Sequence, residues 1–497
     1  MLNASLTVDP AFRVGPVDPR LYGSFVEHLG RCVYTGIYEP EHPTADANGF
    51  RGDAADLVRD LGVPIIRYPG GNFVSGYKWE DGVGPVADRP TRLDLAWRSI
   101  ENNHVGVDEF QKWVASVGSE TMMAVNLGTR GIDAARSLVE YCNLPGGTYW
   151  SDLRRRNSSA DPYQIKVWCL GNEMDGPWQI GHKTAAEYAR LATETGKAMR
   201  LVDPSIELVA CGSSSLAMPT FGSWEATVLA EAYDVVDYVS MHGYYQQHGE
   251  DRDSFLAAAA GMDRFIDAVI ATADHVRAVG RHRKRIDISF DEWNVWYQSR
   301  FAGERNLAIE TTPRLIEDVY SVTDAVVVGN LLISLLRHAD RVKIGCLAQL
   351  VNVIAPIMTE PGGTAWRQAS YHPFALTSRH GRGTVLRVEP RAPMHETAEH
   401  GEVPLLDAVA VQSPEGVVLF AVNRDQRSPM ALDVDLRSLT DLSAATHTCL
   451  ADDDPDAIND AAHPDRVVPR RLDDPKVDGG RLQAVLPSLS WNMIRIS

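Results

Sequence analysis

Two glutamates that accompany strand-like apolar runs carry the clearest chemistry in this chain. Glu173 ends the segment IKVWCLGNE, residues 165–173, and Glu292 lies in IDISFDEWN, residues 286–294. A carboxylate beside a buried parallel strand is costly to desolvate, so each needs a partner or a purpose. Two such groups at the strand ends of one barrel predict a general acid and a nucleophile that face one small substrate.

Other polar side chains follow neighbouring apolar runs in the same way. These side chains can form hydrogen bonds, and no phosphate-binding loop accompanies them, a combination that is typical of a sugar pocket. They are Glu27, His28, Arg67, Asn72, Asn126, Asn172, His242, Tyr244, Gln349 and Asn352. Trp97, Trp178 and Trp296 are either core residues or platforms on which a sugar ring stacks.

Each of these residues also has a purely structural interpretation. A lone glutamate after a strand, such as Glu27, is often a helix N-terminal residue or one member of an ion pair. Arg67 is either a structural counter-charge or the group that lowers the pKa of a neighbouring carboxylate. A histidine such as His242 is more often a hydrogen-bonded core residue than a ligand. The joint pattern therefore indicates function more strongly than any single residue.

Other chemistries find no support in the sequence. There is no H-E-x-x-H, no H-x-H and no cluster of cysteine and histidine, so no metal site is predicted. There is no G-x-S-x-G elbow and no P-loop, and the lone glycine pair at residues 82 and 84 lacks the context of a dinucleotide fingerprint. We expect no cofactor.

The order of predicted elements indicates the fold class. Longer helical patterns alternate with eight strand-like runs, at 21–25, 63–67, 122–125, 167–170, 208–211, 238–241, 286–290 and 344–348. Helices are predicted at 107–117, 184–201, 253–279 and 311–337, and Thr184 with Glu187 forms a capping box. Eight alternations predict an α/β fold, a (β/α)8 TIM barrel.

The pattern changes after about residue 382. Strand-like runs at 409–412, 417–422, 432–436, 482–486 and 492–496 predict an all-β sandwich, and the Asp- and Pro-rich stretch 451–480 is predicted as a long loop. We expect a catalytic barrel at residues 19–380. Residues 1–18 and 381–497 would then form the β-sandwich, with the N-terminal strand joining the C-terminal sheet.

Composition limits the partners and the location. Lys and Arg total 48 against 66 Asp and Glu, which gives a formal charge of −18 over 497 residues. Such a surface repels nucleic acid and anionic membrane, whereas a neutral sugar is compatible with it. The first 20 residues have no signal-peptide pattern, and the six scattered cysteines read as buried thiols. Together these features predict a cytoplasmic protein.

Several segments resemble one family of enzymes. Residues 168–183, WCLGNEMDGPWQIGHK, are similar to the acid/base segment of the α-L-arabinofuranosidases of glycoside hydrolase family 51. The segments at 22–31 (YGSFVEHLGR), 67–73 (RYPGGNF) and 291–297 (DEWNVWY) resemble the first, second and nucleophile strands of that family, and HPDRVVP at 463–469 resembles its β domain.

The resemblance implies a retaining, exo-acting hydrolase that removes terminal α-L-arabinofuranosyl groups from oligo- or polysaccharides. By the family pattern, Glu173 would be the acid/base and Glu292 the nucleophile, with Arg67 and Tyr244 orienting Glu292. The sugar would be held by Glu27, Asn72, Asn172 and Gln349, with His242 and Trp296 also placed at the site. The resemblance further implies intracellular hexamers, no cofactor and a jelly-roll-like C-terminal sandwich.

Two alternatives remain open on the sequence. The first is an endo-acting β-glucanase on a related barrel, which would have an open cleft in place of a closed pocket. The second is a non-catalytic carbohydrate-binding protein that has kept the fold, although the presence of both Glu173 and Glu292 argues against it.

Overall fold

The computed structural model describes all residues, 1–497, and its centre is a closed parallel barrel. The eight barrel strands, numbered here in chain order, are Gly23–Phe25, Ile65–Tyr68, Glu120–Val125, Val167–Leu170, Glu207–Ala210, Tyr238–Tyr245, Asp287–Val295 and Val342–Leu347. Each strand pairs in parallel with the next, and the eighth pairs with the first. The predicted (β/α)8 barrel is confirmed.

Helices surround the barrel. They span Gly52–Leu61, Val107–Ser116, Ile132–Asn143, Tyr149–Asn157, Ala185–Val202, Ser223–Ala232, Arg252–Leu256, Ala258–Gly280, Val322–Arg337 and Tyr371–His380. The capping box is present, because Glu187 accepts a hydrogen bond from the Thr184 backbone N–H at 2.9 Å. None of these helices combines the length and the apolar content needed to cross a membrane.

One predicted helix begins too early. The pattern predicted a helix over 311–337, but residues 311–320 are irregular and the helix begins after Ser321, whose hydroxyl accepts from the backbone N–H of Asp324. From Val322 to Leu336 this helix is buried on every face because it packs between the barrel and the C-terminal sheet. It therefore lacks the polar stripe that would have given a periodic signal for its start.

The β region consists of a four-stranded and a seven-stranded sheet. The first, in spatial order, contains Leu2–Thr7, Met430–Asp435, Arg481–Leu486 and Lys476–Asp478; the second contains Arg13–Pro16, Thr384–Leu386, Leu406–Ser413, Gly416–Asn423, Ser490–Ile496, Ala445–Leu450 and Arg470–Arg471. Short hairpins pair Arg92–Leu93 with Ile100–Glu101, Ile357–Thr359 with Ala365–Arg367, and Met394–Thr397 with Gly401–Pro404. The all-β C-terminal region is confirmed, and a separate buried core of 21 residues lies within it.

The N-terminal strand crosses to the β region. Leu2–Thr7 pairs in parallel with Met430–Asp435, from Leu2 opposite Met430 to Thr7 opposite Asp435. The stretch predicted as a long loop, 451–480, also contributes two short strands, Arg470–Arg471 and Lys476–Asp478. The domain limits 19–380, and 1–18 with 381–497, stay a prediction.

Candidate active site

Glu292 lies within the seventh barrel strand rather than beyond its end. The sequence placed the end of this strand at residue 290, whereas the strand runs from Asp287 to Val295. Arg67 Nη1 donates to Glu292 Oε1 at 2.6 Å, and the Tyr244 hydroxyl donates to Oε2 at 2.9 Å. The side chain is thus held at both oxygens, and only 5% of the residue is exposed.

The electrostatics of Glu292 combine opposing effects. Burial and the charge of Glu173 raise its pKa above the usual range, and the positive charges of His242 and Arg67 counteract part of that rise. The Tyr244 hydrogen bond acts in the same direction as these cations. Arg67 also donates to Asn172 Oδ1 at 2.7 Å, so one guanidinium links the second, fourth and seventh strands.

Glu173 follows the fourth strand in a strained backbone conformation. Its φ is 43°, in the left-handed region that residues other than glycine rarely occupy. Its carboxylate accepts from His242 Nδ1 at 2.9 Å on Oε1 and from Trp178 Nε1 at 2.7 Å on Oε2. Backbone strain of this kind is concentrated at functional sites, where the surrounding contacts hold it in place.

His242, on the sixth strand, stands between the two glutamates. Its Nδ1 is 3.5 Å from Glu292 Oε2 as well as 2.9 Å from Glu173, and its Nε2 is 3.2 Å from Asp291 Oδ1. Burial alone would lower the pKa of His242, but the charge of Glu292 and the hydrogen bonds to Asp291 and Glu173 raise it to about 10. The imidazole is therefore a cation at neutral pH.

The three residues Glu173, His242 and Glu292 have potential ligand atoms within 4.8 Å of one another, close enough to surround a metal ion. A protonated imidazole has no free lone pair to coordinate a metal. Both ring nitrogens of His242 are also directed at carboxylates. This donor set does not fit a resident cation, and it agrees with the absence of a metal motif in the sequence.

Glu27 is a third buried carboxylate of the site, next to the first two strands. Its Oε1 accepts from the Phe73 backbone N–H at 2.9 Å and from Trp97 Nε1 at 2.8 Å, and its Oε2 accepts from Gln349 Nε2 at 3.1 Å. Burial raises the pKa of Glu27 to about 8, against the two hydrogen bonds to Oε1, which lower it. A side chain at Gly70 would meet Glu27, since a Cβ there would lie 2.6 Å from the Glu27 Cγ.

These groups open into a cavity of about 480 Å³. Its lining includes Glu27, Asn72, Trp97, Glu173, Trp178, Ser214, Ser215, Met218, Tyr244, Glu292, Trp296, Glu304 and Gln349. Trp296 stands edge-on to Tyr244 with ring centroids 5.0 Å apart, and Trp178 is 45% exposed at the mouth. Arg67 and His242 lie outside this lining and contact the carboxylates of Glu292 and Glu173, and Asn172 accepts from Arg67.

Three further polar residues that follow predicted strands neither line the cavity nor hydrogen-bond to its carboxylates. Asn126 accepts from the backbone N–H groups of Gly128 and Thr129, and Asn352 hydrogen-bonds to Thr359, so both stabilise loops. Both ring nitrogens of His28 are hydrogen-bonded elsewhere, Nδ1 to Glu101 Oε2 at 2.8 Å and Nε2 to the Tyr68 hydroxyl at 2.9 Å.

The sequence analysis missed two parts of the site. One is the loop that contains Ser214, Ser215 and Met218, which carries no motif, and the other is Asp291, which looked like an ordinary neighbour of Glu292. A carboxylate inside a strand whose surroundings are apolar was the signal that could have identified Asp291.

Comparisons with known proteins agree with this geometry. Two family profiles match, the Alpha-L-arabinofuranosidase 1 domain over residues 57–260 and the Alpha-L-arabinofuranosidase C-terminal domain over residues 291–490. The chain is 58% identical over its whole length, and over 75% of the relative, to an intracellular exo-α-(1→5)-L-arabinofuranosidase of Streptomyces lividans. It is 54% identical to a protein of the same name from Halalkalibacterium halodurans, covering 100% of this chain and 99% of the relative.

A solved structure extends the likeness to three dimensions. AbfB, a family 51 α-L-arabinofuranosidase from Bifidobacterium longum, is 47% identical and superposes with a TM-score of 0.96, and each chain is covered completely.

Proposed function

Because the chain belongs to the α-L-arabinofuranosidases of glycoside hydrolase family 51, we propose that it is a retaining exo-glycosidase acting by double displacement. The observation that carries the mechanism is the short separation of the two carboxylates. One oxygen of Glu173 and one of Glu292 lie within 4.8 Å of each other. Retaining glycosidases place their carboxyl groups about 5–5.5 Å apart, whereas inverting enzymes leave roughly 6.5–9.5 Å for a water molecule.

In the first step, Glu292 attacks the anomeric carbon of an α-linked arabinofuranosyl group and forms a β-linked ester. Glu173 donates a proton to the departing glycosidic oxygen as that bond breaks. The attacking carboxylate must be ionised, and the Arg67 guanidinium and the Tyr244 hydroxyl support that state by hydrogen bonds to its two oxygens.

In the second step, Glu173 has lost its proton and acts as a base. It takes a proton from a water molecule that attacks the ester from the face the leaving group vacated, and Glu292 departs as a carboxylate. The two inversions give net retention. His242, which contacts Glu173 throughout, stabilises the anionic form of Glu173 that this step requires.

We propose that one arabinofuranosyl ring occupies the inner end of the cavity. Glu27, Asn72 and Gln349 line the cavity and would hold the sugar hydroxyls. We propose the same role for Asn172, which accepts a hydrogen bond from Arg67 beside the lining. Glu27 with a pKa of about 8 is neutral at pH 7, so it can donate as well as accept a hydrogen bond to a neutral sugar. Trp296 and the half-exposed Trp178 would stack against the ring and against the departing unit.

The names of the relatives suggest further properties. Because the Streptomyces and Halalkalibacterium proteins are named intracellular exo-α-(1→5) enzymes, we propose that this chain acts in the cytoplasm on short (1→5)-linked arabinofuranosyl oligosaccharides. The family resemblance also leads us to propose a hexamer, which light scattering coupled to size-exclusion chromatography would measure.

The decisive experiment follows the anomer of the first product by proton NMR. With 4-nitrophenyl α-L-arabinofuranoside we expect α-L-arabinofuranose to appear before the β anomer, and initial release of the β anomer would contradict the retaining mechanism. Linear arabinan should yield only the monosaccharide at early times. Hydrolysis of a soluble β-glucan would favour the endo-acting alternative, and the absence of any turnover would favour the binding protein.

A further inference from the structure

We propose that Asp291 is a positioning residue, which holds His242 as an imidazolium so that its second N–H group remains directed at Glu173. Asp291 does not line the cavity and would touch neither the sugar nor the leaving group. The inference rests on the proposed roles of Glu173 and Glu292, and it concerns how their protonation is controlled.

Asp291 is completely buried, with an exposed fraction of 0%. Its Oδ1 lies 3.2 Å from His242 Nε2, and its Oδ2 lies 3.6 Å from Arg67 Nε and 3.8 Å from the thiol of Cys169. An isolated carboxylate at this depth would be very unfavourable. Although burial alone would raise the pKa of Asp291, Arg67 and His242 outweigh it and keep that pKa below the usual range.

The strand geometry explains how two consecutive carboxylates reach one arginine. Successive residues of a regular strand point to opposite faces. The pairing of the seventh strand with the eighth is irregular between Phe290 and Trp293, the stretch that contains Asp291 and Glu292. Both acids therefore approach Arg67, Glu292 from the cavity side and Asp291 from below.

While Glu173 is ionised, the hydrogen-bond pattern requires a doubly protonated ring. Two ionised carboxylates accept but do not donate, so a neutral imidazole could then satisfy either Asp291 or Glu173, but not both. His242 contacts Asp291 through Nε2 and Glu173 through Nδ1. The raised pKa of His242, about 10, agrees with the doubly protonated form.

The charges of the buried groups around His242 sum to zero only when Asp291 is included. Arg67 and His242 contribute two positive charges, and Asp291 and Glu292 contribute two negative ones, so the site is neutral when Glu173 carries its proton. Without Asp291 the protonated form of the site would be a buried net cation, which favours loss of a proton. The other titratable groups that face Asp291 or His242 are Cys169, Cys211, Cys346 and Asp175. Tyr244 donates to the same Glu292 oxygen that lies 3.5 Å from His242 Nδ1.

Asp291 would also fix the orientation of the imidazole. A carboxylate that accepts from one ring nitrogen of histidine determines which nitrogen faces the reacting groups, and it stabilises the imidazolium. Here the nitrogen left for Glu173 is Nδ1. We infer that Asp291 keeps this contact in place while Glu173 alternates between acid and base.

The first test measures the protonation of His242 in the unaltered full-length protein. Hydrogen–deuterium exchange at the imidazole C2 position, followed by mass spectrometry of the peptide that contains His242, reports the pH at which this ring loses its proton. We expect a midpoint well above the ordinary value of about 6.5. A midpoint at or below that value would overturn the proposal, and this result does not depend on any variant folding.

The second test compares Asp291→Asn with Cys169→Ala. The first variant removes the charge but keeps the shape, and the second changes the packing against Asp291 without changing the charge. For Asp291→Asn we expect both the His242 exchange midpoint and the basic limb of the kcat/KM profile to move down by about 1–3 pH units. Cys169→Ala should move neither.

Two outcomes would overturn the proposal: an unchanged basic limb in Asp291→Asn, or an equal displacement in both variants. If Asp291→Asn does not fold, an exchange midpoint of the native protein at or below about 6.5 would still overturn the proposal. Failure of the retaining mechanism would be detected separately, by the anomer of the first product. It would not change the pH midpoint of hydrogen–deuterium exchange at His242.

Discussion

Trp178 donates its indole N–H to Oε2 of Glu173 at 2.7 Å, although 45% of the tryptophan is exposed. The proposed acid/base is thus held by a buried group on one oxygen, His242, and by a solvent-facing group on the other. A partly exposed aromatic side chain can move when an aglycone enters, so this second contact is the one that a substrate can alter.

We predict that Trp178→Phe and Trp178→Ala differ in a way that separates the indole hydrogen bond from stacking. Phenylalanine keeps an aromatic face but loses the N–H donor, so kcat/KM should fall roughly 10- to 100-fold, as for the loss of one hydrogen bond to a charged group. Alanine loses both and should also raise KM for oligosaccharides. Kinetics on an aryl arabinofuranoside and an arabino-oligosaccharide would measure this. Equal KM values for the two variants would rule out stacking.

We predict that Arg67→Ala moves the acidic limb of the pH profile upward. Removing the guanidinium deprives Glu292 of a hydrogen-bonded cation, so its pKa rises further and the nucleophile is protonated at higher pH. Because a buried charge network is broken, the free energy of unfolding should fall by about 3–5 kcal/mol. Assays must therefore be run well below the Tm of the variant.

Arg67→Lys is the matched control for that prediction. Lysine keeps the positive charge but cannot reach both Glu292 and Asn172 as the forked guanidinium does. Its activity should fall while the acidic limb stays near that of the native protein. If the acidic limb of the pH profile is also unchanged in Arg67→Ala, Arg67 has only a structural role.

We predict that Gly71→Ala impairs binding of the sugar, whereas Gly76→Ala does not. A Cβ at Gly71 would lie 3.0 Å from Glu27 Oε2 and 3.3 Å from Glu292 Oε1, so both carboxylates would have to shift. A Cβ at Gly76 would meet the end of the Ile180 side chain at 3.5 Å and the Phe73 carbonyl oxygen at 3.9 Å, which are ordinary contact distances. KM should rise and kcat fall in Gly71→Ala with little change in Tm. Similar kinetics for the two variants would refute the crowding argument.

We predict that exhaustive chelation leaves the rate unchanged. His242 directs both ring nitrogens at carboxylates and is protonated at neutral pH, so the cluster of Glu173, His242 and Glu292 has no complete donor set for a cation. The test is activity after dialysis against EDTA, with and without added divalent ions. Loss of activity that a divalent ion restores would contradict this prediction.

Much of the site could be predicted because a parallel barrel gathers the ends of its strands on one face. This rule selected Glu173, Glu292 and Glu27, and their side chains line one cavity, although Glu292 lies within its strand and not beyond its end. The same rule also selected Asn126 and Asn352, which stabilise loops instead, because a short amide at a strand end satisfies backbone N–H groups as readily as sugar hydroxyls.

Other features depended on contacts between segments that sequence spacing does not encode. Asp291 is positioned by an irregular strand pairing and by Arg67, which lies more than two hundred positions away in the chain. The segment 311–320 was assigned to the helix that follows it, because that helix is buried on nearly every side and has no polar stripe to mark its start. In such regions tertiary packing, and not local periodicity, determines where an element begins.

The roles of the two glutamates can be distinguished by removing each and adding azide. In Glu173→Ala, Glu292 still forms the ester with an activated aryl substrate, which needs little protonation of its leaving group. No base remains to activate water, and the space left by the side chain admits a small anion. Azide should then attack the β-linked ester from the opposite face and give the α-azide.

In Glu292→Ala the same reagent should give the opposite anomer. Azide takes the place of the missing carboxylate, which lies against Arg67 and Tyr244, and displaces the leaving group while Glu173 supplies the proton. One inversion of the α-linked substrate produces the β-azide. Proton NMR of the two products decides the assignment, since it follows only if these residues flank one anomeric carbon from opposite sides. A β-azide from Glu173→Ala, or an α-azide from Glu292→Ala, would mean that the two roles are reversed.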